Sequence, residues 1–431
     1  MRVMNSRFWL LVVVAALLTS GAAFGSGFAI FEQGAKATAM GGAFTATADD
    51  PSAIFYNVAG IAQLRRTELN VGGTAINFSD QFTGLSTDPF TSGSTGYYRR
   101  HTFVPPNGYI VVPIGSNLTF GVGAFTAFGL RTSWQDPWVG RFFSRDANIK
   151  TLSVEPALAW QTSDGRLALG AGAEYRRTHL ILNRNSGALN PFTQRLADVA
   201  TSYLSNDWQN TWGWNAGILF KPGAWRFGAS YRAPQTLNVK GHATITQIPS
   251  GNPQFDFLVA QQLPRSQAVQ TTIHFPAFLA VGVATTMIHG WDIEGDITRT
   301  TWSRFKELPI IFVDQPKFTT TREQDWKDTY SYRLGANHAV TPRWDIRLGG
   351  VYDQNPQPEA AVSALLPDSD RIGVAFGVGY HAGPWVIDAT EFALHFKKRT
   401  RNLPPDPRFD NLNGTYKTDA NLISLNLGYR F

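Results

Sequence analysis

The stretch that decides the fold is "NLISLNLGYRF", residues 421–431 at the end of the chain. Every second side chain in it is apolar or aromatic, namely Leu425, Leu427, Tyr429 and Phe431. The side chains between them are small or polar, namely Ser424, Asn426, Gly428 and Arg430. A period of two predicts a β-strand, and this composition is typical of a strand that faces lipid on one side and a lumen on the other.

The same period recurs along the chain, for example in "RWDIRLGGVYDQ" (343–354) and "DRIGVAFGVGY" (370–380). It predicts about fourteen strands, beginning near Thr67, Thr102, Asn117, Ala147, Gly165, Asn206, Ala224, Thr271, Gly290, Asp325, Arg343, Ser369, Pro384 and Lys417. Tight connections alternate with long ones. Outer-membrane barrels have short periplasmic turns and long external loops, so this pattern places both chain ends on the periplasmic side. The fold class is therefore all-β: a transmembrane antiparallel β-barrel over residues 67–431. A soluble all-β sandwich or propeller is the alternative.

Two of these strands break the period. Pro156 stands inside "LSVEPALAW" (152–160), and "VIDATEFALHF" (386–396) changes parity between Ile387 and Phe392. A bulge is the usual remedy for an interrupted strand, so we expect one at each place.

The first 25 residues carry the features of an export signal. Arg2 and Arg7 flank a polar start, "FWLLVVVAALL" (8–18) is a short apolar core, and small residues follow. This predicts a cleavable signal peptide over residues 1–25, cut after Gly25, with Ala23 as the alternative. After it, no apolar run approaches the ~20 residues that a membrane helix needs, so a membrane protein with this sequence has to be a barrel.

The composition excludes several classes. The chain has no cysteine, which excludes disulfides and a lipid anchor on cysteine. Its 38 Lys plus Arg against 32 Asp plus Glu are spread along the chain, so no nucleic-acid partner is expected. The eight histidines are scattered without paired spacing, and no serine has a positioned histidine. We therefore expect no enzyme activity, no cofactor and no metal site.

Residues 26–66, before the first strand, contain "ADDPSAIFYNVAGIA" (48–62), which fits neither a helix nor a strand. A barrel of fourteen strands encloses more space than its own side chains fill, since about eight strands is the size that just closes up. We therefore expect residues 26–66 to fold back into the lumen as a plug, called the hatch below. Asp49 and Asp50 would then need backbone N–H groups or inward arginines as partners.

Several stretches together resemble the FadL family of outer-membrane transporters. They are "SGFAIFEQGAKATAMGGAFTATADDPSAIFYNVAGIAQL" (26–64), "WVGRFF" (138–143), "TWSRFKELPI" (301–310), "DWKDTYSYRLGANHAVTPRWDIRLGGVYDQNP" (325–356) and the final "LGYRF". The family transports long-chain fatty acids and, in its TodX branch, aromatic hydrocarbons. One departure is Asn57, Val58 and Ala59, where the family usually carries Asn-Pro-Ala. Valine restores a backbone N–H and loosens φ at this turn.

The resemblance implies a set of ligand-binding residues. Phe28 begins a segment that reaches into the binding site, and Lys327 matches the lysine that holds the ligand head group. Arg176 or Arg177 lies where its arginine partner is expected. The period of two places Arg176, Lys327 and Arg333 inward. Pairing of such cations with inward acids, among them Asp292, Glu294 and Asp296, is the alternative.

The resemblance also implies lateral release through the wall near a kink in the third strand. Gly121, Gly123 and Gly129 are the candidates for that kink. Asn57 is the expected hydrogen-bonding anchor of the hatch.

We thus predict passive uptake of hydrophobic small molecules, long-chain fatty acids or related lipids, by a monomer in the bacterial outer membrane, with the surrounding lipid as a second partner. The alternatives are an aromatic hydrocarbon channel of the same family and an adhesin or receptor barrel. The stretch "ALNPFTQRLADVATSYL" (188–204) discriminates between transporter and adhesin, because its spacing predicts a short amphipathic helix that forms an apolar external groove.

Overall fold

The computed structural model describes residues 27–288 and 290–431. The predicted signal peptide lies outside the described residues, as do Ser26 and His289. In the described ranges, no helix is long and apolar enough to cross a membrane.

Fourteen strands form one closed wall. In chain order they are β1 (Glu68–Gly84), β2 (Pro106–Ile114), β3 (Leu118–Phe125), β4 (Asp146–Gln161), β5 (Leu167–Asn190), β6 (Gln209–Phe220), β7 (Trp225–Arg232), β8 (Phe278–Thr285), β9 (Trp291–Thr300), β10 (Thr329–Thr341), β11 (Trp344–Asp353), β12 (Arg371–Ala382), β13 (Trp385–Phe396) and β14 (Gly414–Arg430). Each strand pairs antiparallel with the next. The ring closes because β14 pairs with β1 from Glu68↔Arg430 to Gly84↔Gly414. The predicted antiparallel barrel of fourteen strands is confirmed.

Shorter strands extend the wall and its long connections. They are Thr95–Tyr97, Thr102–Phe103, Gly129–Ser133, Arg195–Ser205, Gln235–Gln247, Gln267–Phe275, Glu307–Phe312, Thr320–Glu323 and Arg399–Arg401. Short 3-10 turns in these connections cover Val139–Phe142, Trp302–Arg304, Pro316–Phe318 and Glu359–Ala361.

The two faces of the wall differ as the period of two predicts. Leu425 and Leu427 expose 58% and 40% of their surface on the outside, whereas Ser424 and Asn426 are buried toward the lumen. Outward aromatic pairs such as Trp385 with Tyr429 lie at the periplasmic ends of the strands. An apolar outer face with aromatic residues at its edge is typical of a barrel in a membrane.

Neither predicted bulge is present. The pairing of β4 with β5 keeps one register on both sides of Pro156, with Val154↔Tyr175 before it and Ala157↔Gly172 after it. The pairing of β12 with β13 is continuous over the whole of β13. Outward and inward side chains alternate along the whole of β13, since Glu391 points outward and Phe392 points into the lumen. The ring of Phe392 finds apolar partners there in the hatch region.

The hatch lies inside the ring. Its described part, residues 27–66, contains helix α1 (Ala35–Ala39), helix α2 (Ala53–Tyr56) and a 3-10 turn (Val58–Gln63). Nearly all of its side chains down to Leu64 are buried, and it contacts strands on several sides of the wall. Irregular backbone is tolerated there because protein, not lipid, surrounds it. The division of the chain at residues 25 and 66 stays a prediction.

The predicted amphipathic helix over residues 188–204 is wrong. This stretch forms the tip of a hairpin in which β5 pairs with Arg195–Ser205, closing at Asn190↔Arg195. A helix does lie against the hairpin, but it comes from the next long connection, α3 (Pro253–Gln262). Phe255 and Val259 of α3 pack on Val199. The cross-strand pairing of the hairpin could not be inferred from the spacing of one strand alone.

Candidate ligand-binding site

Phe28 lies at the centre of a cluster of aromatic rings inside the barrel. Its ring centroid is 4.7 Å from that of Trp302, and the other rings within about 6 Å belong to Phe305, Trp326, Phe128 and Phe275. These rings come from the hatch, from the third strand of the wall, from the connection before β8 and from the connection after β9. The side chain of Phe28 is therefore held by ring contacts, three of them edge-to-face, which an apolar ligand can replace.

A cavity of about 60 Å³ borders this cluster and is almost wholly apolar, lined by side chains such as Leu130, Ile149 and Ile273. A second cavity, of about 50 Å³, shares Leu182, Leu308 and Leu365 with the first. The two cavities therefore lie next to each other, divided by these shared side chains, and together they are called the apolar passage below.

The second cavity ends in charged groups. Arg184, Arg322 and Asp410 line it, and Arg322 Nη1 lies 3.1 Å from Asp410 Oδ1. Within residues 27–288 and 290–431, Arg184 has no ion pair. Its neighbours Arg322 and Asp410 neutralise each other, so Arg184 adds an uncompensated positive charge at the polar end of an apolar passage.

Arg184 is not among the residues predicted from the sequence, although the alternation along β5 places it inward. Arg184 has the same parity along β5 as Arg176, Leu180 and Leu182, and this parity is the inward one. The prediction does not reach Arg184 because it places residues from 184 onward in a long external loop and not in the strand.

Arg176 lies in the lumen, as predicted, and its guanidinium carbon is 4.6 Å from the ring centroid of Phe128 and 4.9 Å from that of Phe275. It therefore shares two ring partners with Phe28. Its charge is compensated, because Arg176 Nη2 donates to Glu174 Oε1 at 2.6 Å. Glu174 is also paired with Arg232. Arg176 is therefore paired with an inward acid, which is the alternative to a contact with the ligand.

Arg177 and Lys327 do not point into the lumen. Arg177 is exposed on the outer face, with its guanidinium carbon 5.7 Å from the ring centroid of Trp208. Lys327 is exposed as well, because regular pairing in β10 begins only at Thr329 and the chain before it turns at Asp325, where φ is +47°. Trp326 takes the inward place instead. The prediction that Lys327 faces inward is wrong.

Arg333 faces inward, as predicted, and holds the hatch. Its Nη1 donates to the carbonyl oxygen of Gly41 at 2.8 Å, its guanidinium carbon lies 4.7 Å from the ring centroid of Phe31, and Asp353 is its ion-pair partner. These contacts make Arg333 a support for the hatch at some distance from the Phe28 cavity.

Asn57 links the hatch to itself and to the wall. Its Nδ2 donates to Thr45 O at 2.7 Å and to Ile218 O at 3.0 Å, and its Oδ1 accepts from the backbone N–H of Ala59 at 3.2 Å. Val58 and Ala59 follow in the buried 3-10 turn. The backbone here approaches β5 so closely that a Cβ on Gly170 would overlap it.

Asp49 and Asp50 are satisfied within the hatch. Asp49 accepts from Lys36 Nζ at 2.7 and 2.9 Å, so its partner is a hatch lysine, where the prediction offers backbone N–H groups or inward arginines. Asp50 Oδ1 accepts from the backbone N–H of Ser52 at 2.8 Å, as predicted, and from Ser52 Oγ at 2.5 Å.

Two wall carboxylates named above as alternative partners of the inward cations bind the hatch backbone instead. Asp296 Oδ2 accepts from the N–H groups of Phe44 and Thr45, both at 2.9 Å. The carboxylate of Glu294 accepts from those of Ala46 and Thr47, at 2.6 and 2.8 Å. The third such acid, Asp292, does pair with a cation, Arg226.

The third strand of the wall is interrupted at residues 126–128. Before the break Phe125 pairs with Ser153, and after it the chain resumes at Gly129, which pairs with Lys150. The N-terminal segment fills the break: Ile30 N–H donates to Ala127 O, and Gln33 Nε2 donates to Thr126 O, at 2.9 and 2.6 Å. The wall is thus completed there by the hatch.

Of the three glycines predicted to supply the kink, only Gly129 adjoins the break. Gly121 and Gly123 lie in the regular part of β3, under Ile54 of the hatch. Their missing side chains make room for α2. The prediction that they bend the strand is wrong.

In the ranges that the structure describes, no group of three or more His, Asp or Glu side chains is placed to hold a metal ion. A closed barrel with an apolar outer face, a plugged lumen and an apolar passage inside defines an outer-membrane channel for hydrophobic compounds.

The comparisons lead to the same class. The family described as "Outer membrane protein transport protein (OMPP1/FadL/TodX)" matches residues 16–431, and the chain belongs to this family. Its members are transporters of hydrophobic compounds and not enzymes, and they reside in the outer membrane.

Among similar proteins is the "Long-chain fatty acid transport protein" of Salmonella typhi, 25% identical over 386 residues, covering 86% of this chain and 87% of that one. "Outer membrane protein P1" of Haemophilus influenzae is 24% identical and covers 98% of both chains. Among solved structures, a Pseudomonas aeruginosa FadL homologue has a TM-score of 0.82 at 22% identity, covering 94% of this chain and all of that one. The P. putida toluene transporter TodX has a TM-score of 0.75 at 16% identity, covering 93% and 99%.

Proposed function

We propose that this protein takes up long-chain fatty acids or related anionic lipids. The observation that carries the proposal is Arg184, a cation without an ion pair at the polar end of the apolar passage to Phe28. A carboxylate head group would pair with Arg184, and the apolar tail would lie along Leu182 and Leu308. Transfer of the tail from water is favourable by about 0.8 kcal/mol per buried CH₂.

Exposed apolar side chains at the extracellular end support capture from outside. Leu189, Phe192 and Leu196 at the hairpin tip and Phe257 and Leu258 on α3 are between 46% and 64% exposed. A patch of this kind on a protein surface indicates an interaction site. We propose that a hydrophobic compound adsorbs here before it enters the passage.

We further propose that binding and release are coupled through the N-terminal segment. Phe28 lies in the ring cluster, and the residues next to it seal the break in the third strand. A ligand that takes the place of the Phe28 ring would withdraw this segment from the break. The ligand would then leave sideways between Phe125 and Gly129 into the membrane.

The experiment is uptake of labelled oleate and labelled toluene by a strain that lacks its own transporter. We expect the wild-type chain to take up oleate and Arg184→Ala to reduce this uptake about tenfold, the value of one lost charge-assisted hydrogen bond. Arg177→Ala is the matched control, because Arg177 lies on the same strand with the opposite parity. Its uptake should equal that of the wild type.

Toluene distinguishes the alternative substrate class. The ring cluster around Phe28 would also accept an aromatic hydrocarbon, which has no charge for Arg184 to bind. Uptake of toluene alone, insensitive to Arg184→Ala, would replace the proposal with an aromatic hydrocarbon channel. Uptake of neither compound above the empty strain would favour an adhesin or receptor barrel. We propose that the working unit is a monomer, since one chain closes the ring.

A further inference from the structure

A hollow of about 860 Å³ lies on the outer wall of the barrel. Its floor consists of outward-facing residues of β12, β13, β14 and β1, among them Val374, Ala393 and Asn77. Arg100 and His101, in the connection between β1 and β2, form one rim. The hollow is separated from the lumen by the wall itself, so it does not belong to the passage beside Phe28.

The hollow has a cation on its β1 side and aliphatic side chains on its β12 side. His395 Nδ1 lies 2.7 Å from Asp419 Oδ1, so the one carboxylate that lines the hollow has a hydrogen-bond partner. Arg100 is exposed and makes no ion pair in the part of the chain that the structure describes. Ile372 and Val374, which pair with His395 and Ala393, provide the apolar side. Its chemistry thus fits an anionic group joined to an acyl chain.

The height of the hollow on the wall identifies what covers it. Trp385 and Tyr429 pair at the periplasmic ends of β13 and β14, while His395 and Asp419 lie near the opposite ends of the same two strands. The apolar band of such barrels is about 25 Å tall, so this position is that of the outer head groups. On another side of the wall, β10 presents exposed Tyr330 and Tyr332 toward its extracellular end, as an aromatic girdle requires.

We infer that this hollow is a binding site for a phosphate-bearing lipid of the outer leaflet, with the Arg100 guanidinium on the phosphate and an acyl chain over Ile372 and Val374. A planar guanidinium binds phosphate through paired hydrogen bonds, and this contact is stronger at a membrane interface than in water. The inference is independent of which compound the channel transports.

The test uses the full chain in nanodiscs of phosphatidylcholine that contain a minority of phosphatidylglycerol, with retained lipid measured by native mass spectrometry. We expect the wild type to retain phosphatidylglycerol selectively. Arg100→Glu should lower the retained phosphatidylglycerol about tenfold, and Ala393→Trp, which fills the floor, should remove retained lipid of both kinds. Arg299→Ala, an exposed arginine on the outward face of the opposite wall, should change nothing.

The heat-modifiable mobility of each variant reports whether its barrel is folded. Equal retention of phosphatidylglycerol by the wild type and by folded Arg100→Glu would overturn recognition of the head group. Equal retention by folded Ala393→Trp would overturn the site as a whole.

Discussion

Gly129 donates its backbone N–H to the carbonyl oxygen of Phe28 at 2.9 Å. This bond joins the residue at the centre of the aromatic cluster to the residue at which the interrupted strand resumes. It makes the N-terminal segment part of the barrel wall, so movement of Phe28 cannot leave the wall unchanged.

A disulfide between the segment and the wall should therefore block transport. Ala29 and Phe128 form an antiparallel bridge, and such pairs have Cα atoms about 4.5–5.5 Å apart, which suits a disulfide. The chain has no cysteine of its own. We expect the oxidised Ala29→Cys/Phe128→Cys variant to lose uptake and a reductant to restore it.

The reduced double variant is the control for loss of the Phe128 ring. If the oxidised protein transports as fast as the reduced one, the segment does not have to leave the break, and the lateral route is refuted.

Replacement of Asn57 should affect the hatch more than the barrel. Asn57→Ala removes two donated hydrogen bonds and one accepted bond, which leaves buried carbonyl groups unpaired at about 1–3 kcal/mol. We expect faster hydrogen exchange in residues 44–63 and changed uptake, with the same heat-modifiable mobility. Asn57→Asp keeps the acceptor for Ala59 but not the two donors, so it separates the two roles. Normal uptake with a lowered melting point would leave Asn57 as a structural cap only.

The two adjacent aspartates should give opposite pH effects. Burial raises the pKa of Asp50 to about 6, so the folded state binds this proton more tightly than the unfolded chain. The contribution of Asp50 is then most favourable at low pH and is lost as the pH rises from about 4 to about 6. Asp50→Asn keeps an acceptor for Ser52, and we expect it to stabilise the hatch at pH 7 by on the order of 1–3 kcal/mol.

Asp49 is the matched comparison. Burial opposes its ionisation, but the ammonium group of Lys36 prevails and lowers the pKa of Asp49. Its contribution is present at neutral pH and is lost as the pH falls below the usual range for a carboxyl. Asp49→Asn should therefore destabilise the hatch at pH 7. Hydrogen exchange of the hatch amides at pH 4 and pH 7 measures both variants, and the same direction for both would refute the assignment.

Two neighbouring glycines of β11 should respond differently to a methyl group. A Cβ on Gly349 would overlap the backbone of Met40 and Gly41, whereas on Gly350 the nearest atom is Gly373 O at 4.0 Å. We expect Gly349→Ala to displace the hatch at a cost of about 1–3 kcal/mol and Gly350→Ala to be neutral. Hydrogen exchange at residues 38–44 provides the measurement. Equal protection in the two variants would show that the hatch does not depend on this close approach.

The wall could be predicted from the sequence because the period of two is a local property. Alternation at residues 421–431 is enough to place Leu425 toward lipid and Asn426 toward the lumen. The period of two no longer predicts the direction of a side chain where the pairing between strands ends. The prediction for Lys327 extends the alternation of β10 past Thr329, and the turn at Asp325 ends that alternation.

The site was less predictable because it is assembled from distant segments. The ring cluster joins Phe28 to residues from the third strand, the connection before β8 and the connection after β9, and no periodicity relates them. The binding of the hatch backbone by Glu294 and Asp296 could not be foreseen either, since backbone N–H groups carry no sequence signature.

The seam between β1 and β14 sets an order for assembly. It joins residues 68–84 to residues 414–430, so the ring closes only when the two ends of the barrel sequence meet. Pairing between residues so far apart in the chain is slow. Until then β1 and β14 are open edges that can pair with other chains. The hatch precedes β1 in the chain, and in the closed barrel wall strands surround it on several sides. Closure of the seam is therefore the step that both seals the plug and removes the two edges.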